Sequence, residues 1–580
     1  MKRALPLVLA FLSLPAWATT YYFASGVYTT RYAHQTCGTG TCADYPAGAR
    51  VTGSFTTAAP LAANQPSTEI TGSVTAYSFS DGVHTYANAD ADARIVAFSI
   101  ATDASGKPSA ATIQLQRWQA AAPHNAGNDR LDILFVGAPT GAGTNVTCSA
   151  FGASPANGVA DVCTSYSGST DTSQAITSLA GAWSVDVPIV VPSPTPTTYY
   201  VASGPYTTRF PHTTCGTGTC ADYPLGGRVA GSFTTADALP ANLAAIDVSG
   251  LVTAYSFSDG VNTYASGDAN ARIAAFQVAT DAGGLPSMQP VILQRWQAPA
   301  PHNAGNARLN LMQFAGNAGA GTNATCASFG TSPAGAADAC LSYSGSSDTS
   351  QAFSVLPTRT AIGAPLPLSL TPATYAYTGT TYTTIANHTT CGTGACADYA
   401  SSMRVTGTFT LADRLPPNFG PADFSGLVSA YSFSDGVHTI ASSSPLARIV
   451  QFALQTDAGG VPVSSQIGLE QWQGAPPHPA GSRVDMIGVS ASGSSAGINV
   501  DCTTDGASSP GTGTPDSCLN PATVTDTSFA LAEGGGWAAV PAASSAAATP
   551  VPALAREGWA LLAIALLALA AVALRRRSAA

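Results

Sequence analysis

Charge is scarce in this chain. Asp, Glu, Lys and Arg make up 9% of its 580 residues, against roughly a quarter in ordinary soluble domains, and lysine occurs only at Lys2 and Lys107. The formal net charge is -10, and no Lys/Arg cluster lies between the two termini. Both facts exclude the clustered cations that nucleic-acid binding needs. Glutamate is almost missing from the body of the chain: Glu69, Glu470 and Glu533 fall at non-equivalent places, so hydrolysis by paired carboxylates would have only aspartates to draw on. No long stretch carries an apolar period of 3.6, which excludes a helical bundle. Apolar residues are not lacking. At 45% of the chain they are ample for packed cores and unlike a disordered polar sequence.

The two ends read as targeting segments. Lys2 and Arg3 precede an apolar stretch from Ala4 to Leu14 and then Ala16-Trp17-Ala18, the layout of a secretory signal peptide over residues 1–18, cleaved after Ala18 by signal peptidase. At the other end, Val551-Pro552-Ala553-Leu554 leads to Gly558-Trp559, an uncharged run to Leu574, and Arg575-Arg576-Arg577. The run from 558 to 574 reaches about 25 Å as a helix, close to the ~30 Å hydrocarbon core of a bilayer. The arginines would hold its end on the cytoplasmic side. This tail resembles the IPTL-CTERM class of bacterial sorting signals, a relative of the PEP-CTERM class. It differs in having Val551 for the leading Ile and Ala553 for Thr. The resemblance implies export through the inner membrane, clipping near the motif by an exosortase-like enzyme, and delivery to the cell surface or extracellular matrix of a Gram-negative bacterium. A plain C-terminal membrane anchor is the competing reading.

Between these ends one module occurs three times. Thr36-Cys37-Gly38-Thr39-Gly40-Thr41-Cys42-Ala43-Asp44-Tyr45 returns at residues 214–223 and 390–399, and Tyr77 to Val83 returns at 255–261 and 431–437. The steps are 178 and 176 residues, too long for a solenoid repeat and right for whole domains. The expected organisation is β-module 1 at 19–186, a Pro-rich linker at 187–197, β-module 2 at 198–356, a linker at 357–374, β-module 3 at 375–540 and an Ala/Ser/Pro linker at 541–550, followed by the sorting signal at 551–580. Pro-rich linkers act as semi-rigid spacers, so the modules read as beads on a stalk. Within a module the pattern predicts strands over Arg50–Thr57, Ala93–Thr102, Thr112–Gln119 and Leu131–Gly137, and a hairpin with a two-residue Asp81-Gly82 loop. That loop would place Phe79 opposite His84 and Tyr77 opposite Tyr86. The fold class expected is all-β, three tandem antiparallel β-sandwich-like modules.

Twelve cysteines divide evenly: Cys37, Cys42, Cys148, Cys163; Cys215, Cys220, Cys326, Cys340; Cys391, Cys396, Cys502, Cys518. An even count behind a signal peptide implies disulfides, and the spacing suggests two local loops per module. His34, Cys37, Cys42 and Asp44, with His212 and His388 as counterparts of the histidine, also have the ligand types of a zinc site. An oxidising compartment would close the thiols first, and no cofactor is expected. His124, His302 and His478 recur in Pro-His contexts. Their neighbours Asn125 and Asn303 give way to Pro479, which favours loop structure over acid-base work. His84 becomes Asn262 and returns as His438, which suits a surface position better than a proton carrier. Asp81, Asp259 and Asp435 precede Gly in the turn, where Asp is favoured on conformational grounds alone. Gly493-Ser494-Ser495-Ala496-Gly497 matches the nucleophile-elbow string by chance in a Ser/Gly-rich loop. Asn145, Asn323 and Asn387 begin N-x-T sequons. Trp118, Trp296 and Trp472 would either fill the core or, if exposed, stack on sugar rings. With no acid-base or nucleophile set shared by the three copies, a non-enzymatic surface protein for adhesion, matrix or envelope interaction is expected. The alternative is a protein that binds or acts on a surface polysaccharide.

Overall fold

A computed structural model describes residues 18–541 apart from short stretches at 125–128, 138–139, 167–168, 192–193, 304–306, 317, 337, 344–345, 508–515 and 523–525. The expected signal peptide and sorting signal therefore lie outside the described residues, as do Asn125 and nearly all of the 541–550 linker. Among the described residues no helix is long and apolar enough to cross a membrane.

The described residues are all-β, with every strand pair among them antiparallel and three copies of one sheet pair. In the first module the strands are β1 (Thr19–Ala24), β2 (Thr30–Tyr32), β3 (Thr52–Thr57), β4 (Thr68–Glu69), β5 (Val74–Ser80), β6 (Thr85–Ala87), β7 (Ala93–Thr102), β8 (Pro108–Trp118), β9 (Arg130–Gly137), β10 (Thr140–Gly152), β11 (Val162–Tyr166), β12 (Ser173–Ile176) and β13 (Ala182–Val185). One sheet runs β13-β1-β3-β5-β6 and the other β2-β12-β10-β9-β8-β7-β4, with β11 added against β10. The second and third modules repeat this order strand for strand.

Alternation explains the layering, because side chains two apart share a face. On β7, Val96, Phe98 and Ile100 turn inward, and on β8 Ala111, Ile113 and Leu115 do the same. All of these except Val96 meet Tyr21, Phe23, Phe55 and Phe79 of the other sheet in one core, with Phe55 edge-on to Phe98 at 5.0 Å. Burial of each such side chain stabilises by about 1.5–3 kcal/mol. A second, smaller cluster gathers Trp118, Leu131, Ile133 and Val146 around Cys148 and Cys163. Those two are bonded, as are Cys37 and Cys42 and the equivalent pairs in the other modules, so all twelve cysteines form six local disulfides.

The hairpin register differs from the expected one. Ser80 pairs with Thr85 and Phe79 with Tyr86, so four residues form the loop instead of two. The cause is the Asp81 side chain, whose Oδ1 accepts bonds from the amides of Val83 at 2.9 Å and His84 at 2.6 Å. Only Gly82 takes a positive φ, at 89°. The longer loop lifts His84 out of the ladder, while Tyr77, Phe79 and Tyr86 still turn inward.

The modules touch, which corrects the picture of beads on spacers. Thr29 O accepts a bond from Gly250 N at 2.8 Å, Arg31 Nε donates to Gly250 O at 2.7 Å, Thr30 Oγ1 donates to Asp247 at 3.2 Å, and Arg50 pairs with Asp237 at 3.2 Å. Val27 of the first module belongs to the core of the second. The second junction repeats the pattern: Gly426 N donates to Thr207 O at 2.6 Å, Arg209 Nε to Gly426 O at 3.0 Å and Thr208 to Asp423 at 2.7 Å, while Leu356 enters the third core. A Cβ on Gly250 or Gly426 would lie 2.7 Å from the facing backbone, whereas one on the equivalent Gly72 would meet nothing within 4 Å. The outer ends of the array differ at the docking positions: Ile385 replaces Arg31 and Arg209, and Ala59 replaces Asp237 and Asp413.

Candidate functional site

Each module has a polar network buried between its first disulfide loop and its hairpin turn. Asp81 is its inner end, fully buried. Its Oδ2 accepts the hydroxyls of Tyr45 at 3.1 Å and Tyr86 at 2.8 Å. Burial by itself would raise the Asp81 carboxyl, but bonds from His84, Val83 and Tyr86 outweigh it and hold the group below the usual carboxylate range. The same aspartate pushes the Tyr86 and Tyr45 hydroxyls up, in addition to their burial.

His84 Nδ1 lies 3.3 Å from Asp132 Oδ1 and 3.8 Å from Asp81 Oδ2. Burial opposes the charged ring, and the two carboxylates outweigh it, so the His84 pKa rises. Asp132 is raised by burial, with the histidine working against that rise. Asn145 Nδ2 donates to Asp132 Oδ1 at 2.6 Å, and Asn145 Oδ1 accepts from Arg130 Nη1 at 2.7 Å and faces His34 Nε2 at 3.0 Å. Arg130, fully buried, donates to Thr39 O at 2.7 Å and pairs closely with Asp171. Gln119 clamps the disulfide loop through both the amide of Thr41, at 2.8 Å, and its carbonyl, at 2.9 Å.

Above this network, in the second module, opens a cleft of about 540 Å³. Asn262, Arg295, Gln297, Arg308, Asn310 and Val261 line it. The same positions hold His84, Arg117, Gln119, Arg130, Asp132 and Val83 in the first module, and His438, Gln471, Gln473, Arg483, Asp485 and Val437 in the third. His84 Nδ1, His438 Nδ1 and Asp132 Oδ2 keep only long contacts to charged partners, at 3.3–3.8 Å, and Asn262 Nδ2 and Gln471 Oε1 are buried with no hydrogen-bond partner. Each such atom costs the fold about 1–3 kcal/mol.

The remaining sequence candidates are structural. Trp118, Trp296 and Trp472 are fully buried, so they are core residues and offer no face to a sugar ring. Trp118 stacks on His124 at 4.1 Å, and its indole donates to Asp161 O at 3.1 Å. His124 Nδ1 lies 2.9 Å from Asp161 Oδ1. His302 and His478 repeat the stack at 4.0 Å. His34 Nδ1 holds Asp44 Oδ1 at 2.9 Å. His388, Cys391 and Cys396 bring ligand-type atoms within 4.8 Å of one another, but the two sulfurs are bonded together and offer no thiolate. Ser495, the central serine of the Gly493–Gly497 string, is buried at the start of the strand Ser495–Gly506, which is not the exposed strand-to-helix turn a nucleophile elbow needs. Asn145 and Asn323 are fully buried, which keeps their amides out of reach of glycosylation.

Sequence reasoning missed Arg130, Asp132, Asn145 as a network member, and Gln119. The available signal was recurrence of Arg130 as Arg308 and Arg483, and of Asn145 as Asn323 and Asn499, in a chain with so few cations. Two exchanges mark the third module. Gln116 bonds both the amide and the carbonyl of Cys163, at 2.8 and 2.9 Å. Glu470 in its place accepts from Cys518 N, at 2.9 Å, and burial pushes its carboxyl up to about 7. Where Thr147 donates to Asp171 at 2.6 Å, the third module has Asp501 beside Asp526. Burial and then that neighbour push Asp501 up to about 6.

Searches of protein-family models, curated proteins and solved structures find no match to this chain.

Proposed function

We propose that this is an exported, surface-displayed, non-enzymatic protein whose three docked modules form one array for adhesion, matrix assembly or envelope contact. The observation that carries the reading is the same module set three times in sequence with a repeated docking contact. Tandem copies raise avidity through effective concentration and add nothing to a single reaction. A fixed junction favours that use, because it holds the sites at a set spacing. Six disulfides suit an oxidising exterior. The polar groups of the cleft are not a shared catalytic set, since the second module has Asn262 and Asn310 where the others have His and Asp.

In this reading signal peptidase cleaves after Ala18, the inner membrane holds the precursor through residues 558–574, and an exosortase-like enzyme acts near Val551-Pro552-Ala553-Leu554. The test is protease shaving of intact cells that express the full chain or the chain lacking residues 551–580. Surface exposure of the full chain, lost on deletion, is expected. A full chain protected in the cytoplasm would refute the reading. A second reading, binding of an envelope polysaccharide, is favoured by the polar cleft of the second module and the polar residues at the equivalent positions of the other two.

A further inference from the structure

The cleft changes across the three modules in one consistent way. The His84 position reads His, Asn, His; the Asp132 position reads Asp, Asn, Asp; the Arg117 position reads Arg, Arg, Gln. Every exchange trades a charged or chargeable group for an amide, so hydrogen-bonding capacity stays and charge goes. The first two positions change together, as their 3.3 Å separation in the first module requires: an asparagine facing Asp132, or a histidine facing Asn310, would lose its counterpart.

A ligand read by its charge would meet three different sites: Arg117 with Asp132, Arg295 with Asn310, and Gln471 with Asp485. A ligand read by hydroxyl groups would meet the same site three times. A hydroxyl both donates and accepts, and so pairs equally with imidazole, amide, carboxylate or guanidinium. The buried atoms without hydrogen-bond partners at this place are of both kinds, a donor in Asn262 Nδ2 and an acceptor in Gln471 Oε1. Asp132 is fully buried, and its Oδ2 pairs with the Arg117 guanidinium only at 3.7 Å. The rim adds one apolar contact in every copy: Val83, Val261 and Val437 are 38%, 38% and 40% exposed.

We infer that the cleft beside the first disulfide loop of the second module, with the equivalent positions of the other two, is a binding site for a neutral glycan, with the hydroxyls meeting the polar side chains that line it and a C–H face of the sugar ring resting on the rim valine. The inference deepens the envelope-contact reading by naming the ligand class and the side chains that take it. Recognition rests on hydrogen bonds and is therefore insensitive to salt, unlike binding to an anionic chain.

The experiment is affinity electrophoresis of the purified full chain through gels that hold a neutral polysaccharide (dextran, glucomannan or galactan) or an anionic one (alginate or hyaluronan). Each gel is run at low salt and at about 0.5 M. Retardation by at least one neutral polysaccharide, unchanged by salt, is expected. The triple variant His84→Ala/Asn262→Ala/His438→Ala should weaken it by about tenfold or more. A second triple variant, Val83→Glu/Val261→Glu/Val437→Glu, alters only exposed rim positions and should weaken it similarly, which guards against loss of folding in the first. The exchange variant His84→Asn/Asp132→Asn, which gives the first module the residues of the second, should bind within about twofold of the parent. No retardation on any neutral gel would overturn the inference. So would retardation confined to anionic gels and abolished by salt, or full retention by both triple variants. The assay uses purified protein and does not depend on where the cell puts it, so failure here and failure of surface display are separate results.

Discussion

The first and third modules share a fold and differ beneath the tryptophan. In the first, Gln116 fastens the strand carrying Cys163 with two hydrogen bonds; in the third, Glu470 holds the amide of Cys518 and not its carbonyl. The site accepts either side chain because what the fold requires there is an acceptor aimed at one amide. The second bond needs a donor, which a carboxyl supplies only when protonated. Hydrogen-bond geometry is thus fixed across the repeats while charge drifts, and each drift of charge makes stability depend on pH. The Asp501–Asp526 pair and the cleft exchanges show the same pattern at other positions.

The largest effect should be common to both modules. Trp118→Ala and Trp472→Ala each remove a fully buried indole stacked on histidine and should each destabilise their module by about 3–5 kcal/mol. Hydrogen exchange resolved over the strand amides of each module measures this. Unequal costs would break the claim that the two scaffolds are equivalent.

Glu470→Gln should separate the modules. The folded Glu470 carboxyl titrates near 7 against an ordinary value of 4.5, so between those pH values the folded state holds the additional proton. Stability of the third module therefore falls as pH rises through that window. The glutamine variant should remove the dependence and be more stable at pH 8 by about 1–3 kcal/mol. The converse exchange, Gln116→Glu, should introduce the same loss into the first module.

Arg31→Ile gives the first junction the residue found at the free end of the array. It should loosen the contact between the first two modules by about 1 kcal/mol while leaving the second junction intact. Small-angle scattering and proteolysis within 187–197 would register the change. An unaltered profile would mean that Val27 and the backbone bonds suffice for docking. The smallest effect is expected from Asp501→Thr, which restores the hydroxyl of the other copies. Asp501 is raised to about 6, so its contribution also falls as pH rises from about 4 to 6. Its side chain, 15% exposed, pairs with Arg483 at 3.0 Å, and losing that pair offsets the relief, so the net gain should stay under about 1 kcal/mol.

The fold was legible where side-chain period and repetition agree. Ala93–Thr102 could be bounded from sequence because Val96, Phe98 and Ile100 alternate with small or polar residues beyond the irregularity at Ile95, and the step of 178 residues separated whole domains from solenoid units. The hairpin register was not legible, because an Asp-Gly pair signals a two-residue turn by backbone preference alone, whereas here the Asp81 carboxylate caps the amides of Val83 and His84 and is buried against Tyr45 from outside the hairpin. The cleft escaped for the same reason: His84, Asp132 and Asn145 lie far apart in sequence, and their relation appears only when β5, β9 and β10 are placed. Module docking was hidden by the prolines at 187–197, whose composition describes the linker and carries no information about the faces on either side.

Intact-mass measurement of the native mature protein, with and without reduction and paired with cell fractionation, tests the central claim of an exported and sorted array most directly. The account predicts a surface-fraction species that lacks residues 1–18 and the C-terminal helix and gains about 12 Da on reduction, for six disulfides. A cytoplasmic species of full mass, unchanged by reduction, would contradict it.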